Sequence, residues 1–599
     1  LLVDSLFFVV SVSIFQKLLV QQMRSKRRRL AMFAHFTNMH MSNNTNHHFQ
    51  PLNQRRSANY HPSIWDPKFI QSLSTPYTYE LYGAKLEELK EESRRLLDST
   101  KGKISMQLKL MDSMQRLGVS YLFQQEIGKC ISSIASSDAT CSDLYTTALR
   151  FRLLRSHGYS ISSDVFDKFR DRSSGRFLES LRDDVLGMLS LYEASHLGMH
   201  GEDDLEEAMN FSTKHLKSSI GKMEMGLGEQ VQQSLEVPLH WRMSRAESRN
   251  FIDVYSVDET RSSILLELAK LDYNQVQSVH QNELKELAKW WRDLGFKERL
   301  GFSRDRLMEN YLWAMGIIFE PQFSKCRKGL TKFVCILTAI DDMYDVYGSL
   351  DELESFTDAV NRWDINAVED LPDYMKLCYL AMFNFGNEIA YDGIKEHGFN
   401  TLPYIKEEWA NLCGSYLVEA RWFHSGYTPT FEEYLGNSWI SVGGHAAIVH
   451  ACLLQQLPRT KSSMDCFKQG SQTIYWSSLI TRLSDDLGTS KAEMVRGDVA
   501  KSIQCYMIKE GKSEDEARDH IKGLIKSSWR KLNEASLRKF GPKSSIVTMS
   551  LSMARTALCI FQHGDGIGTS FGVTKDLLTS LIVTPIPITN HPVMKCKLH

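Results

Sequence analysis

The chain has 599 residues, 42% apolar and 24% charged, with 71 Lys and Arg against 72 Asp and Glu. A net charge of -1 leaves no global basic field for holding nucleic acid, and the balance of apolar and charged residues excludes a disordered, collagen-like or wholly membrane-embedded chain. At roughly 100–200 residues per domain, the length allows about two to four domains, each with ample core. Proline is scarce, 14 residues, and glycine modest at 35, while Leu, Glu, Lys, Ala, Met and Arg are frequent, a composition that favours helices. The 11 cysteines form no CxxC pair and no Cys/His cluster at zinc spacing, so they read as buried thiols of a reducing compartment.

The first 54 residues differ from the rest. Between Asp4 and Lys17 lies an uncharged apolar stretch, too short for the roughly 20 residues a spanning helix needs. The chain opens on Leu1, and Met23, Met32, Met39 and Met41 are all candidate starts. From Met23 it carries Arg24, Lys26, Arg27, Arg28 and Arg29 with no acidic residue before Asp66. An Arg-rich, acid-poor leader is the pattern of an organelle transit peptide, the alternative being a disordered basic tail.

Beyond residue 65 the chain reads as successive helices. Tyr82, Leu86, Leu89 and Leu96 recur at helical spacing, with Glu91 and Arg95 placed for an i,i+4 pair on the wet face. No alternating run predicts a sheet. The stretch from Trp241 to Thr260 is polar and weakly periodic, and a new helical series opens at Ile264, so a domain boundary is expected near residue 260.

The chemistry concentrates further on. Asp341, Asp342 and Asp345 follow the apolar run Phe333 to Ile340. On a regular helix Asp341 and Asp345 lie about 40° apart on one face. A lone acidic cluster is usually a solvated helix end, but carboxylates fed directly from a core-facing run are costly unless a cation sits among them. A second stripe, Asp485, Thr489 and Glu493 at i, i+4 and i+8, offers three oxygen donors suited to a hard ion such as Mg2+. Its plainer reading is an ordinary surface helix. Two oxygen-rich helices 144 positions apart, with basic residues near both, point together to a metal and diphosphate clamp.

Further motifs occur in order along the chain: Arg55-Arg56, eight residues, then Trp65; Leu191-Tyr192-Glu193-Ala194-Ser195; Leu239-His240-Trp241-Arg242; Arg304-Asp305-Arg306; and Gln562-His563-Gly564-Asp565-Gly566. With Asp341-Asp342-Met343-Tyr344-Asp345 as DDxxD and Asp485 to Glu493 as (N/D)Dxx(S/T)xxxE, the set resembles the plant class I terpene synthases, and the arginine pair before Trp65 resembles their monoterpene branch. The resemblance runs from about residue 55 to the end.

That resemblance implies an all-α protein of two helical domains. An amino-terminal α-barrel over 55–260 carries no chemistry, because Asp183-Asp184 and Asp203-Asp204 lack the Asp two positions earlier that a DxDD acid motif requires. A carboxy-terminal helical bundle over 261–599 holds the active site. Asp341, Asp345, Asp485, Thr489 and Glu493 are implied to bind Mg2+, with Mn2+ as the alternative ion and Asp342 behind the ligands. Arg304, Arg306, Arg482 and Lys501 are implied to hold the diphosphate. Trp313 and Phe561 are candidates to face a carbocation, core packing being the plainer role for Phe561, and Arg55 and Arg56 to cap the site. Ser441-Val442-Gly443-Gly444 resembles the family's helix break, with Ser441 offering its hydroxyl; tight helix packing is the alternative for the glycines.

The implied substrate is geranyl diphosphate, converted in the plastid stroma to a cyclic or acyclic volatile monoterpene with release of diphosphate, by a monomer or weak dimer with no nucleic-acid partner and no membrane span. A sesquiterpene synthase acting on farnesyl diphosphate in the cytosol is the nearest rival, and the arginine pair and basic leader weigh against it. A chain-elongating prenyltransferase would carry a second DDxxD in place of the Thr/Glu pattern.

Overall fold

Helices make up most of the described chain, and several of them close on a left-handed glycine, Gly295, Gly398, Gly426 and Gly511. The structure, a computed structural model, describes residues 55–588 except 138–140, 224, 456–466, 468–470 and 539–544. The leader and its transit reading therefore lie outside the described residues. Among those described there is no strand, only one isolated bridge between Arg170 and Phe177. None of the described helices is long and apolar enough to cross a membrane. From Arg56 onward the chain is one compact unit.

Helix Tyr79–Ser99 buries Leu86, Leu89 and Leu97. On its wet face Glu91 pairs at 3.3 Å with Arg94, three positions on, in place of the expected Arg95. The polar stretch after Trp241 is itself helical, Ser244–Val257, its weak periodicity arising because Arg245, Glu247 and Ser248 are buried beside Phe251 and Ile252. A turn at Asp258–Ser262 follows, in which the Ser262 hydroxyl accepts from Leu265 N and caps the 32-residue helix Ser263–Leu294. That helix ends at Gly295, φ 73°, a left-handed position that glycine adopts without cost. Its amide side chains hold the far end of the chain. Asn274 donates to Ile586 O at 2.8 Å, and Gln281 to Ile582 O at 2.8 Å.

One apolar core runs from Trp65 to Ile586 and takes in helices from both sides of the Asp258–Ser262 turn. A second gathers Tyr434, Leu483 and Trp529. Inside the larger one, Arg327 is fully buried and meets Glu283 with two bonds, 2.6 and 2.8 Å, while Tyr311 OH donates to the same carboxylate at 2.7 Å. Removing one partner of such a buried pair costs about 3–5 kcal/mol, because the other charge is left stranded.

The two motif stretches of the amino-terminal half meet each other. Glu193 accepts from Leu239 N at 2.7 Å. Asp184 caps helix Val185–Ser195 through Gly187 N, and Asp204 pairs with Arg170 at 2.6 Å, so one member of each Asp-Asp pair serves structure. His240 then ties this half to the carboxy-terminal helices: its Nε2 bonds Asn533 Oδ1 at 2.8 Å, and Arg555 lies 3.3 Å from Nδ1. Asn533 uses its own N–H groups on His196 O and Gly198 O. Its oxygen therefore accepts from His240 Nε2–H, and Nδ1 stays bare against the guanidinium.

Burial, reinforced by Arg555, pushes the His240 imidazole down to about 3. Because the unfolded imidazole titrates near 6.5, this neutral histidine contributes stability that is complete above that pH and is lost as pH falls toward the folded value. The difference in unfolding free energy between the wild type and His240→Asn should therefore narrow between pH 7 and pH 4.5 in urea titrations. A constant gap would show that the imidazole is not held neutral.

Candidate active site

One cavity in the carboxy-terminal half takes its polar rim from two helices and its floor from apolar residues. Helix Ser324–Asp342 delivers Asp341, and the π-helical turn Met343–Tyr347 that continues it delivers Asp345. The expected regular helix thus gives way one residue after Asp341. The wider turn still places both carboxylates on the cavity wall, and such turns mark functional positions in many helices. Helix Ser471–Arg496 contributes Asp485, Thr489 and Glu493, all three on the wall as their spacing predicted.

Asp342 faces elsewhere. It is fully buried, accepts from Arg304 N at 2.8 Å and from the Ser303 hydroxyl at 3.2 Å, and does not line the cavity. Asp486 is its counterpart on the second helix, held by Tyr434 OH at 2.9 Å and by Ser502 N at 3.2 Å. Each acidic pair therefore has one residue turned to the cavity and one that fixes the helix against its neighbours.

Three expected cations lie on the wall. Arg304 donates to Asp341 at 2.6 Å, and its Nε lies 2.8 Å from Asp342. Arg482 donates to Asp485 at 2.9 Å, and Lys501 Nζ is 3.7 Å from Glu419. Arg306, expected beside them, is not a cavity residue. It is fully buried and gives its donors to Ile567 O, Gly568 O, His61 O and Asp305 O, all within 2.9–3.0 Å. Its guanidinium is spent on backbone carbonyls, bracing the 565–570 loop against the segment that precedes Trp65.

The break between helices Phe431–Ser441 and Gly444–Leu454 is present, with Gly443 at φ 73°. Both readings of the glycines hold there, because a Cβ on Gly443 would lie 2.5 Å from Leu337 Cδ1 and one on Gly444 2.9 Å from Met553 Cε. Ser441 lines the cavity as expected, and its hydroxyl donates to Glu419 Oε1, another wall residue, at 2.5 Å. Trp313 and Phe561 both line the cavity, 6.1 Å apart and tilted. Arg56 donates to Asp345 O at 3.0 Å and to Asp498 at 2.8 Å, and Phe423 lies under its guanidinium. Arg55 is exposed.

Several wall residues carried no sequence signal: Tyr60, with Arg304 and Arg496 within 6 Å of its ring, and Tyr416 and Glu419 of helix Leu402–Ser425; Asp565, from the motif near the carboxyl end, joins them on the wall. Each is a single side chain brought in from a remote helix or loop, with no period to betray it.

The electrostatics say what the rim lacks. Burial and then the neighbouring Asp341 hold the Asp345 carboxyl well above the usual range. Burial pushes Asp485 up to about 8, with Glu493 adding to the rise and Arg482 opposing it. Oε2 of Glu493 is buried without a hydrogen-bond partner. Among the described residues no three acidic or thiol groups converge on one point, so the oxygens face one another across the cavity from two walls. Carboxylate and hydroxyl oxygens with surplus negative charge and an unpaired buried acceptor fit hard divalent cations that bring further ligands of their own.

The family profile described as "Terpene synthase family, metal binding domain" matches residues 292–531, and "Terpene synthase, N-terminal domain" matches residues 64–235. A trans-ocimene synthase of Litsea cubeba, named as chloroplastic, is 58% identical over 534 residues, 89% of this chain and 91% of that one. The chain belongs to the terpene synthase family.

A limonene synthase crystallised with 2-fluorolinalyl diphosphate superposes on this terpene synthase with a TM-score of 0.86 at 42% identity, covering 89% of this chain and 100% of that one. An isoprene synthase from grey poplar, in complex with three Mg2+ ions and dimethylallyl-S-thiolodiphosphate, gives 0.79 at 42% identity over 88% and 99% of the two chains. This terpene synthase is thus an enzyme of the class that acts on prenyl diphosphates, and its all-helical fold is that of these relatives.

Arg306 supplies a test of the geometry. Arg306→Lys should lower the unfolding midpoint almost as far as Arg306→Ala, because a point-like ammonium cannot span the carbonyls that the fork reaches. Wild-type melting of either variant would remove Arg306 from this bracing role.

Proposed function

We propose that this terpene synthase is a Mg2+-dependent monoterpene synthase that ionises geranyl diphosphate and releases a volatile monoterpene and diphosphate. The observation that carries this reading is the pair of acidic walls, Asp341 and Asp345 opposite Asp485, Thr489 and Glu493, closing on one aromatic-lined cavity with Arg304, Arg482 and Lys501 at its rim. The five oxygen donors would hold the metal. Bound there, Mg2+ supplies Lewis-acid stabilisation of the diphosphate oxygens, and Mn2+ is the alternative ion.

The residues of the chain do the rest. When the allylic C–O bond breaks, its electron pair leaves with the diphosphate, and Arg304, Arg482 and Lys501 stand where that charge develops. The cation remains over the apolar floor of Trp313, Ile317, Phe333, Val334 and Phe561. Ring faces attract it there without offering a nucleophile, and exclusion of water keeps it alive long enough to rearrange or lose a proton. Arg56 ties the segment before Trp65 to the first acidic wall through Asp345 O. This closes the mouth and keeps the released diphosphate near the cation, so that recapture at the tertiary carbon, the step before ring closure, competes with escape.

The monoterpene assignment over the farnesyl alternative draws support from the names of the ocimene and limonene relatives. Residues 1–54 are read as a leader that directs the protein to the plastid stroma, supported by their arginine content and by the chloroplastic name of the Litsea protein.

Incubation with geranyl diphosphate and Mg2+, products being resolved by chiral gas chromatography, should yield monoterpenes at a rate at least tenfold above that on farnesyl diphosphate; a preference for the longer substrate would overturn the assignment. Asp341→Ala and Asp345→Ala should each lower turnover by orders of magnitude while leaving helical content intact. Thr489→Ala should do less harm than Glu493→Ala, since a neutral hydroxyl contributes less to a divalent ion than a carboxylate does.

A protein beginning at Ser57 separates capping from ionisation. It should still consume linalyl diphosphate yet lose much of its activity on geranyl diphosphate, with a smaller cyclic share among the products. An unchanged ratio of the two activities would eliminate the capping role.

A further inference from the structure

Asp498 belongs to no motif and does not line the cavity, yet three separate parts of the molecule meet on it. Helix Ser471–Arg496, which carries Asp485, Thr489 and Glu493, ends at Gly497 with φ 75°. Gly497 N donates to Met494 O at 3.0 Å and Asp498 N to Glu493 O at 3.1 Å. This is the paired closure of a Schellman cap. The main chain of Asp498 is therefore bonded to the main chain of the last oxygen donor on the second acidic wall.

Its side chain reaches the other way. With only 7% of its side chain exposed, the carboxylate takes Arg56 Nη2 on Oδ1 at 2.8 Å and Arg496 on Oδ2 at 2.9 Å. Arg56 Nη2 also donates to Arg496 O at 3.3 Å, and Arg56 Nη1 to Asp345 O at 3.0 Å. The segment from Arg56 to Trp65 is also held by Tyr60, which bonds the Asp342 side chain, by His61 to Arg306 at 3.0 Å and by Trp65 Nε1 to Glu309 at 3.0 Å. These lie further along it. At its near end Arg56 pairs with Asp498.

We propose that Asp498 is a positioning residue that couples the second acidic wall to closure of the segment over the cavity. It presents its carboxylate to Arg56 only while the Gly497 cap is formed, and that cap in turn fixes Glu493. Arg496, on the same carboxylate, is thereby held within 5.9 Å of the Tyr60 ring at the mouth. Two guanidiniums sharing one nearly buried carboxylate form charge-assisted bonds that a neutral amide reproduces poorly. The coupling builds on the reading of the second wall as a metal-binding face, but the contact itself is independent of any substrate.

The test uses the full chain. Trypsin cleavage after Arg56, followed by mass spectrometry, should be at least tenfold faster in Asp498→Asn than in the wild type, with circular dichroism unchanged. Arg56→Gln examines the same contact from its other end by cleavage at Arg55, and the double variant should be no faster there than Arg56→Gln alone. Asp498→Glu should recover most of the protection. With geranyl diphosphate and Mg2+, the water-captured share of the products should at least double in Asp498→Asn, which a general loss of stability would not produce. Cleavage of Asp498→Asn at the wild-type rate would overturn the proposal, as would additive effects in the double variant. Because proteolysis needs no turnover, these outcomes stand apart from any failure of the monoterpene assignment. Should Asp498→Asn fold poorly, cleavage of Arg56→Gln at the wild-type rate would overturn the proposal equally.

Discussion

Like charge gathered on the buried walls of one cavity is the constraint on which the rest of the structure depends. Carboxylates on two facing walls repel one another, and burial removes the solvent that would screen them. The chain answers by setting arginines on the walls, Arg304 against Asp341, Arg482 against Asp485 and Arg496 at 4.0 Å from Glu493 Oε1, and by turning one member of each Asp pair outward to bind its neighbours. Glu493 Oε2 is left buried without a hydrogen-bond partner. Stability and function draw on the same groups here.

The apolar floor imposes the opposite demand. Trp313 and Phe561 must face one another with no strong donor or acceptor between them, which limits where hydroxyls and carboxylates can go. The hydroxyls of Thr338 and Thr481, both on the wall, donate to carbonyls of their own helices. The Ser441 hydroxyl donates to Glu419. With their protons committed, these hydroxyls are held in fixed orientations on the wall.

How much of this was legible in the sequence depended on the type of signal. Residues sharing one helix at fixed spacing, Asp485, Thr489 and Glu493, were readable because helical geometry converts spacing into a common face. Asp341 and Asp345 were readable for the same reason, although the π-helical turn that separates them was not, since no residue there announces it. Arg306 misled because a pattern of two arginines flanking one residue does not say which guanidinium turns inward. Its partners, Ile567, Gly568 and His61, come from both ends of the chain. Tyr60, Glu419 and Arg496 gave no signal at all, being lone side chains assembled by tertiary packing. The helices were legible nearly throughout, with the exception of Ser244–Val257, where buried polar residues blurred the period.

The glycine break above the cavity carries one more consequence. Gly443 rests against Leu337 and Gly444 against Met553, residues of two different helices that both line the cavity. A change of size at Leu337 or Met553 would move a stretch of main chain in the cavity wall without disturbing a single carboxylate or guanidinium. Such a scaffold lets the shape of the chamber drift while the machinery that starts the reaction stays fixed. Closely similar chains can in this way diverge in what they emit long before they lose the ability to react.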